Sequence, residues 1–213
     1  MDQNEQLIKI CELLKQLSAA PVNPDIFGAR VHRFILNPPL TEAAILDFER
    51  QHAIRLPEDY RSFLTLAGNG GAGPAYGLFK LGEMDDNFSY MEWQENDGFV
   101  GRLSKPFPYT QVWNDLEGMP EDETVLGEDE YETQMTQFEH RYYAAVDGAI
   151  PICHLGCALR QWLVVCGVEA GYIWCDFRAD YRGFSPLTLP GQTRVTFLQW
   201  YQDWLTQCSR HLA

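Results

Sequence analysis

The 213-residue chain is 46% hydrophobic, enough for a sizeable core, and its six Trp, ten Tyr and twelve Phe supply much of that apolar area. A formal net charge of −14 argues against a nucleic-acid partner, which needs clustered Lys and Arg. No stretch approaches the ~18 apolar residues required to span a bilayer, and the acidic start MDQNEQ lacks the basic region of a secretory signal. No membrane partner is therefore expected. The expected compartment is the cytoplasm, with Cys11, Cys153, Cys157, Cys166, Cys175 and Cys208 as reduced thiols.

Residues 3–18 read as a helix, with Leu7, Ile10, Cys11, Leu14 and Leu17 on one face. Pro21 and Pro24 end it, and a connection follows with a short extended piece at 31–36. Thr41 is a good N-cap for a second helix whose buried face would include Ala44, Ile45 and Phe48. The stretch LPEDYRSFLTLAGNGGAG predicts a third helix over 57–67. Pro57 suits its first position, and Glu58 and Asp59 suit the positive end of its dipole. Tyr60, Phe63, Leu64 and Ala67 form its apolar stripe. Gly68, Asn69, Gly70 and Gly71 then stop it in residues that tolerate positive φ. This glycine stretch lacks the Lys-Ser/Thr of a phosphate-binding loop, so it reads as a turn.

Residues 76–81 read as a strand. The next fifty residues, 83–132, carry fifteen Asp and Glu against only Arg102 and Lys105, a net of −13, whereas the rest of the chain carries −1. Phe88, Tyr90, Trp93, Phe99, Phe107, Tyr109 and Trp113 lie among these charges, a content that argues against simple disorder. Within it, 119–134 is the most charged part and is expected to be a mobile loop. Strands follow at 149–153, 161–166 and 172–176, the last two flanking a five-residue loop with Gly167 and Gly171 at its ends. In that hairpin Trp162, Val164, Cys166, Tyr172 and Trp174 would share one face. Leu163, Val165, Ile173 and Cys175 would share the other. Both faces are apolar, so a central hairpin covered on both sides is expected. Thr196 can cap a closing helix with Phe197, Trp200, Tyr201, Trp204, Leu205 and Cys208 on its buried stripe. Helices, then strands, then a helix make an α+β domain.

The run LTEAAILDFERQHAIRLPEDYRSFLTLAGNGGAG resembles the amino-terminal signature of the SUKH superfamily, the Smi/Knr-like domain, through Ile45, Phe48, Glu49, Leu56, Pro57, Tyr60, Phe63, Leu64, Asn69, Gly70 and Gly71. Gly156-Cys157, Trp162-Leu163-Val164-Val165 and Gly171-Tyr172-Ile173-Trp174 look like its central strands, and FLQWYQDWL resembles its closing helix. The resemblance implies a twisted, mainly antiparallel sheet flanked by N-terminal helices and a C-terminal helix. It divides one domain into a helix and connection at 1–39 and a core at 40–206, with an acidic insertion at about 83–132. For bacterial members it implies immunity proteins that neutralise toxins, often nucleases, by binding, with no catalytic residues and no cofactor. Eukaryotic relatives look like regulatory partner-binding proteins, so a regulatory or scaffold module is the alternative.

The acidic insertion is the candidate partner surface: Asp85, Asp86, Glu92, Glu95, Asp97, Glu117, Glu121, Asp122, Glu123, Glu128, Asp129 and Glu130 would face a toxin with a basic surface, and Trp93 and Trp113, with Phe88, would add anchors. The competing reading is a solvated loop that confers solubility. No metal site is expected: Cys153, His154 and Cys157 lack a second paired motif, and core packing explains the cysteines better. A thiol hydrolase with Cys153 or Cys157 as nucleophile and His140 or His154 as base is the enzyme alternative. It would need nucleophile and base within hydrogen-bond reach.

Overall fold

A computed structural model describes residues 3–85, 90–92 and 99–210. In chain order its elements are α1 (Gln3–Ala19), α2 (Ala29–His32), α3 (Glu42–His52), α4 (Glu58–Leu66), β1 (Glu83–Asp85), β2 (Tyr90–Glu92), α5 (Glu123–Leu126), α6 (Glu128–Tyr142), β3 (Ala149–Gly156), β4 (Leu159–Val164), β5 (Ile173–Asp176), β6 (Phe184–Pro186) and α7 (Phe197–Ser209). The architecture is α+β. The antiparallel sheet has the order β3-β4-β5-β6, and β1-β2 form a separate hairpin.

The amino-terminal helices follow the apolar spacing. Leu7, Ile10, Leu14 and Leu17 of α1 are buried, whereas Cys11, one position round the helix, is exposed. Thr41 caps α3 by accepting from the Ala44 amide at 3.2 Å. On α3 Ala44 proves exposed, and Glu49 joins Ile45 on the buried face. Glu49 is tolerated there because its Oε1 accepts from the Leu56 amide at 2.9 Å and lies 3.4 Å from the Arg61 Nε. This ties the end of α3 to the start of α4, where Pro57 occupies the N-cap.

Helix α7 packs on α1 and α4. Thr196 and Gln199 form a reciprocal capping box at its start. Asp59 of α4 also accepts from the Leu198 amide at 3.1 Å, although burial pushes this carboxyl above its usual range. The expected stripe from Phe197 to Cys208 is buried throughout, and Tyr201 donates to the Ala72 carbonyl at 2.9 Å.

Two expected extended pieces differ. Residues 31–36 contain the end of α2 and then Arg33 and Phe34 at φ 48° and 58°, so only Leu36 pairs as a bridge. Residues 76–81 are not a regular strand, since Ala75 at φ 50° and Gly77 at φ 105° break the extension. Leu78 alone bridges β3 at Cys153 on one side and Gly71 on the other, and Gly71 bridges Leu36. The signature's turn thus continues the sheet as single bridges beyond β3. At Gly71, φ is 102° and a Cβ would lie 2.6 Å from the Ile35 carbonyl oxygen, so only glycine fits that approach.

The central hairpin is as expected in its faces. Trp162 lies opposite Trp174 and Leu163 opposite Ile173, and β5 is buried along its whole length. Strand β4 ends at Val164, however, because the amides of Val165 and Cys166 turn to the Gly148 carbonyl. Cys166 therefore belongs to the loop, with its thiol 3.5 Å from the Ser104 carbonyl. One hydrophobic cluster reaches from Leu7 of α1 to Cys208 of α7. It includes Val100, Leu103 and Phe107 from the acidic insertion.

His32 gives this packing a pH signature. It is buried against Phe34 and Trp204, and its Nδ1 accepts from the Phe34 amide at 3.0 Å. Burial pulls its pKa down to about 4, against about 6.5 in an unfolded chain. Between those values the unfolded chain holds the proton that the folded chain refuses. The stability tied to neutral His32 is complete above about 6.5 and is lost as pH falls toward 4. Melting curves from pH 7 to 4 should therefore fall more steeply for the wild type than for His32→Leu. Parallel curves would contradict this.

Candidate functional site

The region expected to be a mobile loop is mostly helical: α5 and α6 occupy 123–126 and 128–142, and Gly127 at φ 83° separates them. Sequence patterning missed α6 because its apolar stripe is thin, with Phe138 and Tyr142 its buried residues. The acids sit where helix dipoles favour them. Asp122 is the N-cap of α5, Glu123 lies in that helix's first turn, and Glu128, Asp129 and Glu130 form the first turn of α6. Together with Glu121 they form a run of exposed carboxylates. Hydrogen bonds from the Thr124 hydroxyl and amide to Asp122 hold its carboxyl below the usual range.

This acidic end projects from a firmly held base. Tyr142 donates to Asn114 Oδ1 at 2.6 Å and accepts from the Gly183 amide at 2.9 Å. Arg178, buried, donates to the carbonyls of Tyr142 and Ala144 at the end of α6. The same guanidinium makes a two-pronged pair with Asp176 of β5 at 2.9 and 2.8 Å and lies over the Phe184 ring at 4.6 Å. The C-terminal end of α6 is thereby bonded to the sheet.

On the exposed side, Arg141 pairs with Asp115 at 2.6 Å and donates to the Glu117 carbonyl. The Glu117 amide bond, followed by Arg141, holds the Asp115 carboxyl below its usual range. Glu117 and Glu130 consequently line one shallow groove with Gln134, Gln137 and Arg141.

The other expected site residues divide clearly. Asp85 and Glu92 lie in the β1–β2 hairpin, where Glu83 is opposite Glu92 and Asp85 opposite Tyr90. Asp86, Trp93, Glu95 and Asp97, with Phe88, lie outside the described residues. Trp113 is half-buried. It stacks on Tyr109 and Tyr142 with ring centroids 4.9 and 5.5 Å apart, and its backbone bridges Phe184. It packs against the core beside β6 and keeps part of its surface exposed.

The thiols divide: Cys153, Cys175 and Cys208 are buried, Cys166 is half-buried, and Cys11 and Cys157 are exposed, so packing accounts for only part of the set. Cys153 is buried, burial pushes its thiol well above the usual range, and its Sγ faces the Pro74 carbonyl at 3.2 Å. Such a thiol holds little nucleophilic thiolate. His154, its sequence neighbour, stacks on Tyr76 at 5.0 Å. Cys157 is exposed in the β3–β4 turn, and His140 lies on the exposed side of α6. Among the described residues no group of His, Cys, Asp and Glu is arranged to hold a metal ion, and no helix is long and apolar enough to cross a membrane.

The family model of the SMI1 / KNR4 family (SUKH-1) matches residues 39–186. The chain belongs to that family. Comparison with curated proteins and with solved structures gives no match. In this SUKH-1 chain the match runs from just before α3 to the end of β6, so the acidic helices lie inside it, while α1 and α7 flank it.

Proposed function

We propose that this SUKH-1 protein is a cytoplasmic immunity protein that neutralises a cognate toxin, with a nuclease as the favoured class, by stoichiometric binding and without turnover. One observation carries the reading: the carboxylates of Glu121, Asp122, Glu123, Glu128, Asp129 and Glu130 are gathered on the exposed ends of α5 and α6, on a base bonded to the sheet. Solubility alone is served better by dispersed charge, which repels itself less. A fixed acidic surface suits the basic, phosphate-binding groove of a nuclease, and complementary charge speeds capture.

Co-expression with a toxin encoded beside its gene is the direct test. The expected result is survival of cells that the toxin alone kills, and a purified one-to-one complex in which the toxin is inhibited and chemically unchanged. Failure to protect against, or to bind, any neighbouring toxin would overturn the reading, and a processed toxin would return it to the enzyme class.

A further inference from the structure

We draw no further inference here: the strongest candidate, the exposed apolar patch of Phe27, Val31, Ile35 and Tyr76 at the cavity between α2 and residues 76–80, carries nothing because nothing in the structure shows what covers it.

Discussion

Arg178→Ala should destabilise the folded chain by about 3–5 kcal/mol, the range for stranding one partner of a buried ion pair. Asp176 would keep its charge in a site where its own side chain is 5% exposed and its two guanidinium donors are gone. The carbonyls of Tyr142 and Ala144 would lose their donors as well, at the very end of α6. The loss should therefore include a local signature: faster amide exchange along α6 than along β3 and β4. Urea unfolding followed by tryptophan fluorescence gives the global number, and hydrogen exchange gives the local one. Arg178→Met/Asp176→Leu should recover most of the stability, since no charge is left unpaired. It should not restore α6, whose carbonyls still lack donors. Equal exchange in α6 and the sheet would show that Arg178 acts on the core alone.

The same residues show what the sequence does and does not disclose. Helices α1, α3, α4 and α7 are legible because their apolar spacing and caps are local: Thr41 lies three residues from the amide it accepts, and the stripe of α7 is continuous from Phe197. The faces of the central hairpin are legible too, because a side-chain period of two survives a change in loop length. What lies beyond local pattern is not. Cys166 leaves its strand because Gly148, eighteen residues earlier, takes its amide. Arg33, Phe34 and Ala75 adopt positive φ although none is glycine, which hides the end of α2 and leaves Gly77 as the only local sign of the break at 76–81.

The candidate surface was half legible. Its charge is plain in the composition, but the anchoring of the far end of α6 is not, because that mount is built from Arg178, Asp176, Asn114 and Gly183, which sequence pattern does not connect to Tyr142 and Ala144. The one local sign of a helix over 128–142 is that Tyr131, Phe138 and Tyr142 recur at helical spacing amid strong helix formers. Trp113 illustrates the opposite limit. Its neighbours Asp115 and Glu117 are charged, yet its ring contacts with Tyr109, Tyr142 and Phe184 half-bury it against the core.

That mount sharpens what should happen when the acids are removed. On the proposed function, Glu121→Gln, Asp122→Asn, Glu123→Gln, Glu128→Gln, Asp129→Asn and Glu130→Gln together should slow association with the toxin by about 10–100-fold at low salt, and change dissociation far less. The wild-type rate should fall steeply as salt rises, whereas that of the neutralised protein should be nearly flat, because screened and deleted charges act on the same encounter. Folding should survive the change. All six acids are exposed and none contributes to the core. Asp122 is the exception in kind, since it also caps Thr124, and asparagine preserves that acceptor. Stopped-flow association at several salt concentrations, with melting temperatures as the control for folding, reads all of this. If the wild-type rate is independent of salt, or the neutralised protein binds as fast, electrostatic mimicry of a nucleic-acid backbone is the wrong account of the α5–α6 surface. The acids would then serve the helix ends and solubility, and the partner would have to be sought on a different face.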